Sequence, residues 1–574
     1  MPQAAPSPPQ PHEDFFAAQV RNRRASWRIS TLCALAIAIA GIPLTLIITP
    51  LLYAAFMAGA ALLNYFHPLS RAFWQHSSNL ARIASAAGDF LFNHKPADSR
   101  LLIIAAIAFL GPGILLAIVV WAGVYAILKR GGVGGALIAL GARAPNRAEQ
   151  RELQLDDVVH EIALAARMDP LPRVLIIDDD GANAAAIGTS AADAHLVVSR
   201  GLVASLSREE MQGAIAHLIA SIGNGDLRIG FRILSVFESL GMLVTMLNAP
   251  FGPHARATLG KIVRFALRRD RSDEGAEAEA IATLLATSTG TDSNDIDRFF
   301  DSSHPRGIVR KVLNVLLFPI FSTNAAIQLT LWFLSEAMLA PSFALLWRTR
   351  KYLADATAVQ LLRNPDALAS ALVRMNEAGG DLGAASGMPF LFIVSPGKGH
   401  RMTPAPRTDQ IEAAARAWAS ISGEQIPERI DFARVRSEAT ALRVAAMRGD
   451  PEARARLMKF ARAMAAARVD AAREEPSDAQ AKASGPLTET FLSFHPPIKR
   501  RLTRLVRMGA RTEFMPQATS HKVEIIVGVV LGPLIVLLVG LFVFLIAMMI
   551  MLNLLFLSIW FALIHVIFSL VAAA

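Results

Sequence analysis

The side chains best placed for chemistry lie in EEMQGAIAHLIASIGNGD, residues 209–226. His217 and Ser221 are four residues apart, and on a helix that spacing puts both on one face. Two imidazoles so spaced, with a glutamate after the first, hold a zinc ion and activate its bound water. Here Leu218 follows His217 and the second position offers only a hydroxyl. At the motif positions the stretch keeps one metal donor, His217, and no general base. No displaced copy replaces it: His160-Glu161 opens HEIAL, but Leu164 stands where the second histidine belongs. The chain has no intact His-Glu-x-x-His and no glycine-rich phosphate loop. Its single cysteine, Cys33, excludes an intrachain disulfide and a cysteine-rich metal site.

The elements that must position these residues follow from patterning. Ser207-Arg-Glu-Glu resembles a capping box that starts the helix carrying His217. RVLIID (173–178) and HLVVS (195–199) have the length and β-branched content of short buried strands, and a helix is predicted around 152–167. Residues 351–375 have the period of one long amphipathic helix. Residues 405–485, rich in Ala, Arg and Glu, predict an inserted, solvent-exposed helical subdomain.

Composition places much of the chain in a membrane. Of 574 residues, 53% are hydrophobic and 18% charged, a balance foreign to a wholly soluble surface. Thr31–Leu63, Leu101–Leu128 and Val523–Ala574 exceed the roughly 18 apolar residues needed to cross a bilayer. Ile229–Pro250 and Val312–Trp347 are apolar too, but contain Glu238 and Glu336, acids that mark either a polar pathway or a surface near the membrane. Arg21, Arg23, Arg24 and Arg28 precede the first run, and Lys129 and Arg130 close the second, which favours a cytoplasmic N-terminus. The net charge of +10 is therefore assigned to membrane orientation and anionic lipid, with no nucleic acid as partner.

Three blocks in order resemble the HtpX and CAAX-prenyl-protease type of integral membrane zinc metallopeptidase. The first is Asn183 to Asp226, with an Asn-Ala-x-Ala strand and an Ala-His-x-x-x-x-Ile-x-x-x-Asp ending. The second, RKYLADATAVQLLRNPDALASALVRM, is similar to the family's Arg-Glu-x-x-Ala-Asp helix; the third, FHPPIKRRLTRL, to its His-Pro-Pro-x-x-x-Arg signature. MPFLFIVSP (388–396) is similar to a family strand. The resemblance implies a zinc site with three protein ligands, a glutamate base and an open position for water. Carried over residue by residue, the ligand positions hold His217, Ser221 and Lys351, and the base position holds Leu218. Asp226, Asp355 and His495 fall at supporting positions; Asn183, Ala184 and Ala186 fall on the strand beside the family's substrate cleft.

The expectation is thus an α+β, mainly helical fold: a polytopic α-helical membrane protein with a cytoplasmic zincin-like metallopeptidase domain. Its predicted parts are a flexible basic N-terminal tail (1–28), two transmembrane segments (29–130) and a metallopeptidase-like domain (143–400) interrupted near 229–250 and 312–347. The inserted helical subdomain (405–485), the end of the peptidase-like domain (486–515) and a C-terminal transmembrane hairpin (523–574) follow. The functional expectation is a pseudopeptidase of the inner (cytoplasmic) membrane, with no cofactor. Its partners would be the lipid bilayer and either membrane-protein segments or an active protease relative; the sequence also allows a homo-oligomer. The alternatives are an active zinc metalloendopeptidase in membrane-protein quality control, which would need zinc, and a transporter or channel component. Two ideas concern Lys351: its ammonium replaces the metal as a clamp between helices, or it snorkels to solvent. A serine–lysine pairing of Ser221 with Lys351 lacks a recognisable oxyanion hole. His495-Pro496-Pro497 is predicted to fix a helix entry.

Overall fold

The computed structural model describes residues 13–75, 79, 99–250, 252–267, 324–325, 327–378, 382, 389–395, 445, 450–453, 455–456, 459 and 493–511. Most of the predicted 405–485 insertion and all of the predicted 523–574 hairpin lie outside the described residues. The chain divides into two compact units: Met1–Cys33 with Val124–Phe299 and Ala340–Thr519, and Ala34–Gly123 with Phe300–Leu339 and Ser520–Ala574.

The described part is mainly helical with a small sheet. In chain order it runs α1 (Phe15–Phe66), α2 (Ser99–Ala139), α3 (Gln150–Ala165), β1 (Arg173–Ile177), β2 (Ala184–Ile187) and β3 (His195–Ser199). It continues with α4 (Arg200–Ser205), α5 (Arg208–Gly223), α6 (Asp226–Asn248), α7 (Pro253–Leu267), α8 (Ala340–Leu362), α9 (Pro365–Glu377) and α10 (Ile498–Arg507). The sheet order is β1-β3-β2, with β1 parallel and β2 antiparallel to β3. Both strands read from RVLIID and HLVVS form, because Leu196, Val197 and Val198 need cover on both faces and are fully buried.

In the first unit α5 is the central helix. The predicted capping box starts it: Ser207 Oγ accepts from Glu210 N, and Glu210 Oε2 accepts from Ser207 N at 2.8 Å. From Met211 to Ala220 every residue except Gln212 is buried, with α3, α8, α9 and β2 packed around it. Gly213 permits the approach of α9, since a Cβ there would lie 2.5 Å from the Ala367 carbonyl carbon. Gly225, at φ +81°, turns the chain from α5 into α6 in the left-handed region where a side chain is strained.

Three expectations change. The stretch 388–396, similar to a family strand, is a 3-10 turn over Pro389–Leu391 followed by a single antiparallel bridge from Phe392 to Ala185. The single helix predicted over 351–375 is two helices. Arg363 adopts φ +56°, and the Asn364 side chain caps α9 through Asp366 N and Ala367 N, with Pro365 in its first turn. Asn-Pro ends α8 because proline forces its predecessor out of helical geometry. The predicted tail also shrinks: residues 15–28 are helical, and only 1–12 lie outside the described residues. Gln19 Nε2 donates to Gln360 Oε1 at 2.6 Å and Asn22 Nδ2 to Tyr352 O at 3.2 Å. The prolines that signalled a tail end where α1 begins.

Arg143, which the sequence reading passed over, ties the exit of α2 to the sheet. Its buried guanidinium reaches Glu152 at 2.6 Å and Asp178 at 2.8 Å, while its backbone bridges Ile176. Breaking such a buried pair on one side costs about 3–5 kcal/mol.

In the second unit, Pro112 interrupts α2. Proline has no N–H for the carbonyl four residues earlier, Ala108 O, and the Tyr53 hydroxyl of α1 donates to it instead at 3.1 Å. Among the described residues two helices are long and apolar enough to cross a membrane. They are Ser99–Ile138, with mean hydropathy 2.8, and Asp226–Asn248, with 1.5. Ile103, Ile107, Leu115 and Val119 of the first are exposed, the surface expected of a helix in lipid.

Candidate functional site

The sequence-predicted residues converge where α5, α8 and α10 meet. His217 on α5 and Asp355 on α8 are both buried, with Nδ1 2.7 Å from Oδ1. A carboxylate acceptor fixes the tautomer: Nδ1 carries the hydrogen, and the lone pair is left at Nε2. Burial pushes His217 down to about 4, against the pull of Asp355, so the ring is neutral at pH 7.

Asp355 has a second partner, one that residue type and spacing did not single out. Arg501 of α10 donates Nε to Oδ2 at 2.9 Å and Nη2 to Oδ1 at 2.6 Å, a bidentate pair with the guanidinium 1% exposed. Burial alone would raise the Asp355 carboxyl, but Arg501 and then His217 hold it well below the usual carboxylate range. Arg501 Nη2 also lies 3.4 Å from His217 Nδ1. The signal was present: Arg501 is the arginine of the His-Pro-Pro-x-x-x-Arg block. His495 is buried beside the prolines, and Pro497 stands at the N-cap of α10, so this block enters the helix as predicted and delivers Arg501 to the site.

Ser221 faces a different acid. Its hydroxyl donates to Asp226 Oδ2 at 2.7 Å, and Arg350 of α8 pairs with Asp226 Oδ1 and donates to Asn224 O. Asp226 thus links α6 to α8, as Asp355 links α8 to α10. Leu218 is 2% exposed in the α5 core, with nothing to accept a proton.

Lys351 does not snorkel; it is 5% exposed, and its ammonium donates to Phe392 O. Burial lowers its pKa to about 7, Arg501 adding to the effect and Asp355 and Asp226 opposing it. The two carboxylates are each already paired with an arginine. Ser221 bonds Asp226 and Lys351 bonds Phe392 O, so neither is poised as a serine–lysine catalytic pair.

A zinc ion needs three protein donors that tolerate a dication. The three aligned positions supply one imidazole, a hydroxyl already committed to Asp226, and an ammonium. Arg501 and Arg350 are each paired with a carboxylate and stand at arginine positions of the family blocks, so the misfit lies at Ser221 and Lys351. These residues do not fit a zinc centre. Among the described residues no group of three His, Cys, Asp or Glu side chains is arranged to hold a metal.

Asn183 and Ala184 stand on the outer edge of the sheet, facing the chain's own residues 392–394. Asn183 is fully buried, with its side-chain oxygen accepting from Ala184 N and Val394 N. Ala186 lies further along, beside an apolar crevice between α2 and α6.

Comparison with known proteins agrees with the three-block reading. Residues 149–508 match the profile of Peptidase family M48. The chain is 28% identical over 295 residues to a protein named Protease HtpX homolog from Ligilactobacillus salivarius, a stretch covering 51% of this chain and 81% of the relative. Homologues of the same name from Limosilactobacillus reuteri (26% over 281 residues, 48% and 76%) and Streptococcus pneumoniae (26% over 310 residues, 50% and 85%) are similar in extent. No solved structure matches significantly.

Proposed function

The chain belongs to peptidase family M48, and we propose that it is a member that binds proteins in or at the membrane without cleaving them. One observation carries this reading. The position aligned with the third zinc ligand holds Lys351, buried, with its ammonium on a backbone carbonyl and two arginine–carboxylate pairs around it. A dication placed there would meet an amino group where a carboxylate ligand is needed, in a low-dielectric interior where repulsion from its protonated form is poorly screened. Leu218, at the position of the base, removes the second requirement for hydrolysis.

In place of metal chemistry the site offers cohesion. Asp355 holds α5 to α10 through His217 and Arg501, while Asp226 holds the α5–α6 corner to α8. Buried joints of this kind hold the helices together and leave binding to the outer faces of the fold. The partners we propose are membrane-protein segments or an active protease of the same family, met by a cytoplasmic domain on a polytopic inner-membrane protein, with self-association as a further arrangement. The apolar helices Ser99–Ile138 and Asp226–Asn248 support membrane association.

Active zinc-dependent endopeptidase is the competing reading, favoured by the relatives named Protease HtpX homolog. Metal analysis of the purified full-length chain in detergent, beside a protease assay with and without chelator, decides between the two. The expected result is zinc far below one equivalent and no chelator-sensitive cleavage. Stoichiometric zinc with cleavage that chelation abolishes would establish the competing reading.

A further inference from the structure

Away from the site, α1 and α8 run antiparallel in the first unit. Asn22 Nδ2 donates to Tyr352 O at 3.2 Å and, further along α1, Cys33 Sγ donates to Ser342 O at 3.3 Å. Arg348 lies between these two contacts, toward the end of α1 that leads into the apolar run Thr31–Leu63. α10 joins the pair of helices. Glu13 N donates to Arg507 O at 2.8 Å, and Arg504 Nη1 donates to Asn22 Oδ1 at 3.1 Å.

This junction gathers positive charge. Residues 498–511 carry Lys499, Arg500, Arg501, Arg504, Arg507 and Arg511 and no acid. Arg501 turns inward to Asp355, whereas Arg500, Arg504 and Arg507, at i, i+4 and i+7, share another stripe of α10. What that stripe meets is cationic too. Burial brings Arg348 of α8 down to about 10, with Arg500 adding to the effect and Tyr352 opposing it. Burial lowers Arg504 as well, Arg21 and Arg507 adding to it, and Arg21 of α1 is lowered by burial and by Arg507. Glu13 pairs with Arg21 at the far end of the stripe. Tyr352 stands in the middle. It is 8% exposed, with Arg504 Cζ 3.5 Å from the centre of its ring, and among the described residues its hydroxyl has no hydrogen-bond partner.

Arginine forks and a phenol hydroxyl match the oxygens of a phosphate group, which would also relieve the crowding of like charges. The neighbouring face of α1 indicates where the phosphate comes from. Phe16, Val20 and Trp27 are exposed there among the exposed Arg23, Arg24 and Arg28. Exposed aromatic and basic side chains on one helix face are the composition of a segment lying at headgroup level.

We propose that the Arg500–Arg504–Arg507 stripe, with Arg348 and Tyr352 of α8 and Arg21 of α1, binds the phosphate of an anionic phospholipid headgroup. A headgroup without an amine suits the site, because an added cation would be repelled by the guanidinium groups. The bound lipid seats α10, and with it the peptidase-like domain, on the bilayer. The inference rests on membrane association of the chain and not on whether the chain cleaves. Association is read separately, from whether the protein needs detergent to stay in solution.

The test follows thermal unfolding of the full-length chain in an uncharged detergent. Dihexanoyl phosphatidylglycerol, dihexanoyl phosphatidylcholine and inorganic phosphate are compared at equal concentration and ionic strength. Phosphatidylglycerol is expected to raise the midpoint by about 4 °C, and the other two to leave it in place. R500Q/R507Q is expected to lose most of that rise, while R23Q/R24Q, which removes as many charges from the exposed face of α1, keeps it. No rise with phosphatidylglycerol on the native chain overturns the proposal whatever the variants do. An equal rise with inorganic phosphate overturns the lipid as ligand. An equal loss in R23Q/R24Q would reduce the effect to diffuse attraction and overturn the site.

Discussion

Nδ1 of His217 lies 2.7 Å from Oδ1 of Asp355, and neither side chain is more than 3% exposed. A histidine so oriented has the tautomer of a metal ligand, with its second nitrogen free to coordinate. Among the described residues no group of three metal donors includes it. The same Asp355 is shared with Arg501, which makes the pair a joint between helices, and its strength can be measured.

Removing one member of that joint leaves a buried charge without compensation. Asp355→Ala and Arg501→Ala are each expected to destabilise the native chain by about 3–5 kcal/mol. The double variant is expected to lose much less than the sum, because it removes both charges together. Thermal unfolding of the four proteins in one detergent closes the cycle, and strict additivity would mean that the two side chains do not act on each other.

Acid should weaken the fold through the same cluster. His217 is held down to about 4 and must be neutral in the native state, while an unfolded histidine takes its proton near 6.5. The unfolded chain therefore binds more protons between these values, and stability falls as pH drops from about 6.5 to 4. Asp355, depressed in the fold, adds a further loss as pH falls below the ordinary carboxylate range. Unfolding midpoints across this range, with His217→Phe as control, check the sign: the variant should have a flatter profile from 6.5 to 4.

Alkaline conditions should act oppositely through Lys351. Its pKa is lowered to about 7 by burial, so between about 7 and 10.5 the unfolded chain holds a proton that the native chain has released. Stability is expected to rise with pH across this window, and Lys351→Met to abolish the rise. A melting temperature equally pH-dependent in the variant would assign the effect to other groups.

If the site alignment is right, metal binding can be restored. Ser221→His and Lys351→Glu together would give two imidazoles one helical turn apart and a carboxylate from α8, without the ammonium. Metal analysis of S221H/K351E is expected to find zinc approaching one equivalent per chain, against little in the native protein. Failure of the folded variant to take up zinc would mean that these three positions do not form the metal site the alignment assigns to them.

The contact of α5 with α9 depends on a missing side chain. Gly213→Ala would drive a methyl group against the Ala367 backbone, which cannot rotate away. A loss of about 1–3 kcal/mol is expected from such overpacking. A smaller loss, read from the unfolding midpoint, would mean that α9 shifts without resistance.

The sequence by itself determined the family, the capping box at Ser207 and the strands at 173 and 195, and it showed which residue types stand at Leu218, Ser221 and Lys351. Each is a local matter of residue type and spacing, which periodicity and capping chemistry express within a few turns of chain. Tertiary structure decided what those three side chains touch. Lys351 could equally have reached solvent; it is buried because Phe392 O accepts its hydrogen and Asp226 lies near it, contacts with segments tens to more than a hundred residues away. Arg501 was visible as a motif letter, but its bond to Asp355 spans 146 residues and leaves no mark in either neighbourhood. Gln19 and Asn22 looked like parts of a tail for the same reason. Side-chain pairing across such separations depends on which surfaces the helices bring together, and that is a property of the packed chain alone.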